Sequence, residues 1–495
     1  MFKLKGDIAE GAYGRVFEGE RGSGQSEGHV ETVAIKGFFI LNKKTQAQGV
    51  VYLRELDTMQ RCNHPNILKP IEICYEWPFE SEFDPKSCYH RFDKGYAITP
   101  LAMSSLYYHL RSETISLSNL KKIAYDMIKA ISYLHENSIA HRDIKSSNVL
   151  LYQNGDEIDA VLCDFGMCKP LTHGHINSTY VGTALYRAPE LLLGEGNYSF
   201  EADIWSFGVL LFELMNCKYP FDGENDMHVA ANMFTSRGGP SPEVWQKITE
   251  GNTDCMIDYY KVKNRKKQSI AEVFDISSSI SELEEHETGH LIDLLEGILC
   301  LDPDERLNAN DVIRHEFFDE FENVTYEPDK TILRKISDDQ LRVKGINTIL
   351  GLNSKLHKDA WRIIFVAIDI YDRSMLRYIE RQTETVEVDN VRIALASCYL
   401  AVKYFLDEDT PDISKIFPTM RHGIDINIDV ILQWEKVILV EWLNWNVYRP
   451  TVYDMLHEKV RPDILLRIFR DHPKVYDSDV VTVARAFTEQ IEALK

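Results

Sequence analysis

Asp143, Asn148 and Asp164 are the residues whose types and spacing best suit chemistry on a phosphate. Asp143 and Asn148 lie within H-R-D-I-K-S-S-N (His141 to Asn148), and Asp164 opens D-F-G (Asp164 to Gly166). Phosphoryl transfer needs a carboxylate to orient the attacking hydroxyl, and hard oxygen ligands for the magnesium ions that accompany the nucleotide. Asp143 suits the first task, Asn148 and Asp164 the second. The stretch between them, Y-Q-N-G-D-E-I-D-A-V-L-C (Tyr152 to Cys163), is a turn-rich run followed by an apolar one. It predicts a β-hairpin with an acid at each end.

The elements that would position these residues start near the N-terminus. I-A-E-G-A-Y-G-R-V-F (Ile8 to Phe17) alternates small and apolar residues and runs on as a strand, with Gly11 and Gly14 able to bring backbone close to phosphates. V-A-I-K (Val33 to Lys36) is a β-branched strand ending in a lysine. A helix-period segment follows and stops at Pro65. Further on come Y-R-A-P-E (Tyr186 to Glu190), D-I-W-S-F-G (Asp203 to Gly208) and L-D-P-D-E-R (Leu301 to Arg306).

In this order the motifs resemble the eukaryotic protein kinases over residues 1 to about 320. The resemblance implies a bilobal α+β fold, a small lobe over about 1–100 and a large lobe over about 101–320. It makes ATP with Mg2+ the donor and a protein serine or threonine the acceptor, Lys145 being the serine/threonine form of the catalytic loop. Asp143, Lys145, Lys36 and Glu55 become the catalytic set, with Lys36 on the α- and β-phosphates and Glu55 as its ion-pair partner. Ala9, Glu10, Gly11, Ala12, Tyr13 and Gly14 form the phosphate loop, Ala9 standing where the family usually has its first glycine. Val16 and Ala34 lie above the base and Leu150 below it, Thr99 is the gatekeeper and Leu101 a hinge contact. Asn148 and Asp164 hold the metal. Thr183 bonds Asp143 and Lys145, and Arg306 is the buried partner of Glu190. An activating phosphate falls on Ser178 or Thr179, opposite Arg54, Arg142 and Lys169.

Finer features resemble the cyclin-dependent kinases: G-V-V-Y-L-R-E-L followed by N-H-P-N-I, G-G-P-S-P-E-V-W-Q-K-I-T (Gly238 to Thr249), and H-E-F-F (His315 to Phe318). Arg187 favours a proline-directed substrate, and Gly182, where that branch has valine, argues against it.

Composition sets outer bounds. The 495 residues allow two or three domains with cores of their own. A net charge of -22 argues against nucleic-acid binding. Nine cysteines without a C-x-x-C pair suggest neither a disulfide framework nor zinc, and point to a reducing compartment. With no bilayer-length apolar run and no signal-peptide core, the expectation is an intracellular protein, cytoplasmic or nuclear, without a membrane partner.

After an acidic linker at 321–338, residues 339–495 are helical in period, with apolar residues recurring over Trp361 to Ile379, Val391 to Leu406 and Ile428 to Leu443. A-I-D-I-Y-D-R-S-M-L, I-A-L-A-S-C-Y-L-A-V-K-Y and W-E-K-V-I-L-V-E-W-L-N-W-N-V-Y-R-P-T resemble a cyclin box. By that resemblance this all-α domain docks on the kinase helix through Lys403 and Glu435, in cis or between chains, and activates it. Two alternatives stand: a pseudokinase scaffold whose cyclin-like box recruits a separate kinase, and an active kinase whose helical domain serves another partner. The intact Lys36, Glu55, Asp143, Asn148 and Asp164 favour an enzyme over the scaffold.

Overall fold

In this computed structural model the described residues are 2–11, 14–22, 30–39, 50–74, 92–170, 176–177, 184–194, 197–250, 252, 255, 257–274, 283–321, 342, 346, 348–350, 360–381, 386–405, 433–444 and 446–447. The chain divides into two compact units: Met1–Arg61, Lys69–Leu101 and Asp329–Lys495 form the first, Cys62–Leu68 and Ala102–Pro328 the second. The two sequence ends thus share a unit. Residues 322–338 of the expected linker lie outside the described residues.

The first unit opens with a five-stranded antiparallel sheet of β1 (Phe2–Glu10), β2 (Gly14–Gly22), β3 (Val30–Phe39), β4 (Glu72–Cys74) and β5 (Phe92–Pro100), in the order β1-β2-β3-β5-β4. Period-two alternation sorts its faces. Phe17, Val33, Ile35 and Ile98 pack as a core cluster. On the other face Lys36 lies opposite Val16 and Ala97, and Ala34 opposite Thr99. Gly11 N donates to Gly14 O at 2.9 Å, closing the turn between β1 and β2. A Cβ on Gly14 would strike the carbonyl oxygen of Gly37 on β3, so only glycine fits there.

α1 (Val50–Arg61) lies between β3 and β4 in the chain. Leu53, Leu56 and Met59 are buried as an amphipathic pattern requires, but Arg54, Glu55, Asp57 and Thr58 are buried too. A helix covered on every side has neighbours on every side.

In the second unit, α2 (Leu117–Glu136) starts at Ser116, whose side chain accepts from Asn119 N. The expected hairpin is β6 (Val149–Asn154) and β7 (Glu157–Leu162), paired antiparallel from Val149↔Leu162 to Asn154↔Glu157. Gly155, at φ 62°, supplies the left-handed residue its tight turn needs. α3 (Phe200–Asn216) is buried almost throughout and forms the spine of this unit.

The rest of the first unit is helical. α4 (Ala360–Arg381) and α5 (Val386–Phe405) pack on each other, and Ile364, Val366, Ile368 and Tyr371 of the first and Ala394, Ala396 and Ala401 of the second are buried. Arg342 holds Asp372 on α4 with Nη2 to Oδ2 at 2.8 Å, both side chains buried. A π-helical turn spans Val437–Trp442, capped by Leu443, and Asn444 follows at φ 46°. Arg373 then donates to the carbonyl oxygens of Asn446 and Val447, each at 2.6 Å. The N-terminal mixed β/α region and the mostly helical remainder agree with the expected α+β fold carrying a helical extension. No helix among the described residues is long and apolar enough to cross a membrane.

Candidate active site

Lys36 and Glu55, predicted as partners, are brought together: Lys36 Nζ donates to Glu55 Oε1 at 2.7 Å and to Oε2 at 2.8 Å. Glu55 is 2% exposed, so both carboxylate oxygens must be satisfied inside the protein, and one ammonium serves both. The pair joins β3 to α1. On the same sheet face lie Val16, Ala34 and the buried Thr99, with Leu101 just beyond β5. Ala9 pairs with Val16 and Glu10 with Arg15 across β1 and β2. Ala12 and Tyr13 lie outside the described residues.

In the second unit Asp143, Lys145 and Asn148 form one cluster. Asp143 Oδ2 accepts from Lys145 Nζ at 2.7 Å and from Asn148 Nδ2 at 2.9 Å, and Asn148 Nδ2 also reaches Asp143 O at 2.7 Å. With Nδ2 engaged by Asp143, the amide oxygen is what Asn148 can offer a cation. Cys163 N donates to Asn148 O at 2.9 Å, tying the exit of β7 to this loop. Asp164 follows at φ 66°. A non-glycine residue in that region is strained and is held there by its surroundings. An amide oxygen and a carboxylate are hard donors of the kind Mg2+ takes alongside phosphates and water, so Asn148 and Asp164 fit that ion. Leu150 sits on β6, partly buried.

His141 organises the loop from behind. Its Nε2 lies 3.2 Å from Cys163 O, its Nδ1 accepts from Asp143 N at 3.3 Å, and its ring meets Phe165 edge-on. One nitrogen donating and one accepting defines a neutral imidazole. Burial holds its ionisation below the usual histidine range, against the pull of Asp203, Asp143 and Asp164.

Asp203, on α3, is fully buried and accepts from His141 N at 2.8 Å, Arg142 N at 2.9 Å and Tyr198 Oη at 2.6 Å, with His135 Nε2 at 3.0 Å. Burial pushes its carboxyl up, but the bond and charge of His135, with His141 and Tyr198, outweigh this and hold it low. Its two backbone bonds stabilise Arg142 at φ 72°. Glu190 and Arg306 form the predicted buried pair, at 2.8 and 3.1 Å. Arg142 places its guanidinium over Tyr198 and donates to Met167 O, while Lys169 pairs with Ala140 as a short strand. Ser178, Thr179, Gly182 and Thr183 lie outside the described residues.

The helical extension touches α1 within the first unit. Arg54 Nε donates to Tyr404 O at 2.7 Å. Asp57 accepts from Tyr404 Oη at 3.0 Å through Oδ2, and from Val447 N at 2.7 Å through Oδ1. Of the two residues predicted to grip this helix, Glu435 is buried, and the Lys403 side chain lies outside the described residues. Asp57, Tyr404 and Val447 were not predicted from sequence. Tyr404 adjoins Lys403, but Asp57 carried no motif.

The model of the protein kinase domain matches residues 2–318. Among curated proteins, the chain is 28% identical over 277 residues to mitogen-activated protein kinase 3 of Arabidopsis thaliana, covering 56% of this chain and 68% of that protein. It is 30% identical over 303 residues to a serine/threonine-protein kinase of Debaryomyces hansenii, covering 58% and 47%. It is 27% identical over 321 residues to cyclin-dependent kinase 9 of Xenopus tropicalis, covering 63% and 78%. The relatives thus include both mitogen-activated and cyclin-dependent kinases, a broader group than the single branch expected from the sequence.

Proposed function

Because the chain belongs to the protein kinase domain family and is a protein serine/threonine phosphotransferase, we propose that its helical extension is a cyclin-like activator of its own kinase domain. The kinase domain implies ATP with Mg2+ as donor and protein hydroxyls as acceptors. In this reading Asp143 orients the acceptor hydroxyl, Lys145 balances the charge at that carboxylate, and Lys36 steadies the donor's phosphates. Asn148 and Asp164 would hold the metal, whose charge offsets that of the phosphates. Ser178 or Thr179 would carry an activating phosphate.

One observation carries the proposal. α1 is enclosed by the extension in the same arrangement in which its Glu55 engages Lys36. Tethering supports docking in cis, since a linked partner acts at an effective concentration of about a millimolar and needs only a weak interface. The cyclin-dependent branch and proline-directed substrates belong to the same proposal.

The test compares full-length protein with a chain ending near Lys330, on a generic protein substrate with radiolabelled ATP. Cooperative melting of the shorter chain serves as the control for folding. The expected result is a folded but nearly idle kinase. A shortened chain as active as the whole would overturn activation in cis and favour recruitment of a separate kinase. A full-length chain with no transfer at all would favour the scaffold.

A further inference from the structure

We infer that Asp57 is a positioning residue, which fixes α1 in the rotation that pairs Glu55 with Lys36 and does so only when the extension is docked. This rests on the activation proposed above and assigns its lever.

Asp57 is 0% exposed. A carboxylate so placed must be met by donors or leave for water. Both oxygens are met from the extension, Oδ2 by Tyr404 Oη and Oδ1 by Val447 N, with Arg61 Nη2 at 4.0 Å one turn along α1. The amide that serves Oδ1 is presented rigidly. Arg373 grips the carbonyl oxygens of Asn446 and Val447 while its own guanidinium lies 2.6 Å from Asp369.

Helix geometry links this to the chemistry. Two residues apart, Glu55 and Asp57 project about 200° from one another around the axis. Glu55 therefore meets the sheet lysine on one side while Asp57 meets the extension on the other. Without the extension, the face of α1 that carries Asp57 is open to water, and neither Tyr404 nor Val447 holds the helix at this rotation. α1 is then free to turn, and a turn draws Glu55 off Lys36. Docking selects the engaged rotation, a shift between two states set by contacts that exist in only one of them.

The experiment uses full-length Tyr404→Phe, Asp57→Ala, Asp57→Asn and the double variant Asp57→Ala with Tyr404→Phe, each normalised by active-site titration. Tyr404→Phe removes one oxygen from an otherwise unchanged ring and so guards against loss of fold. Tyr404→Phe and Asp57→Ala should lower kcat about tenfold or more, the scale of a charge-assisted hydrogen bond. KM for ATP should rise several-fold while KM for the protein substrate stays put, because Lys36 acts on the nucleotide. Asp57→Asn should recover part of the loss, since its oxygen can accept from Val447 N and its NH2 can donate to the tyrosine oxygen. The double variant should be no worse than Asp57→Ala. Wild-type kinetics in Tyr404→Phe and Asp57→Ala, additive losses, or a fall in kcat with unchanged KM for ATP would each overturn the assignment. If kinetics are unchanged in a protein that shortening silences, Asp57 alone is refuted. If shortening has no effect, the activation reading beneath it falls.

Discussion

The catalytic loop and α1 are both buried polar elements, yet they are held by different means. The loop is secured by near residues of its own unit: Asp203 lies 61 and 62 positions from the backbone groups it binds. α1 is secured by Tyr404 and Val447, 347 and 390 positions away. A catalytic base fixed by its local fold is ready whenever that fold exists. Under the activation proposed above, a clamp fixed by a remote segment is ready only when that segment is in place, so control would act on α1 while the loop stays constant.

The harshest break should show that both elements are needed equally once assembled. Asp143→Asn and Lys36→Met are each expected to lower kcat by about a thousandfold or more, with circular dichroism and melting unchanged, because positioning and charge supply most of the catalysis. A variant retaining near-native kcat would remove its residue from the catalytic set.

Asp203→Ala and Arg342→Met separate the two modes of support. The first strips a buried hub and is expected to cost about 3 to 5 kcal/mol locally. Hydrogen exchange should show lost protection around 135–143 with α1 unaffected. Arg342→Met leaves Asp372 buried without its partner in the extension, and should expose α1 amides while the catalytic loop keeps its protection. Loss of protection at both places in either variant would abolish the distinction.

The gentlest test is acidity. His64 in the second unit accepts from Asn66 N through Nδ1, and burial, with the charge of Lys129, lowers its ionisation to about 4. Neutral in the fold and protonated below about 6.5 when unfolded, it contributes its full stability above that value. That contribution is lost as pH falls from about 6.5 toward 4. A loss of up to about 2 kcal/mol between pH 7 and pH 5 is expected from urea midpoints of the second unit's transition. His64→Asn should flatten that slope, and an unchanged slope would show that the ring does not titrate this way.

These contrasts track what the sequence could reveal. The Asp143, Lys145 and Asn148 cluster was legible because its chemistry lies within six residues of chain. The Lys36–Glu55 pair was legible through strand and helix motifs that fix both partners. The hairpin was foretold by Asn154-Gly155, and α4 and α5 by their apolar period. Asp57 was not legible. Arg54, Asp57 and Arg61 form a polar stripe at helical spacing, which in an isolated helix marks the solvated face, and only the remote extension buries it. Reading Lys403 and Glu435 as the grip came within one residue of Tyr404 but had no means of choosing the aspartate opposite.

The separation of Asp57 from Val447 also has a meaning in time. A ribosome adds about 5 to 20 residues per second, so the 390 intervening positions delay the final donor by roughly 20 to 80 s. Once translation has passed residue 318, the growing chain carries every motif of its kinase domain, while the carboxylate of Asp57 still awaits its last partner. Under the activation proposed above, the order of synthesis would act as a timer, and the clamp would close only on a chain translated at least as far as Val447.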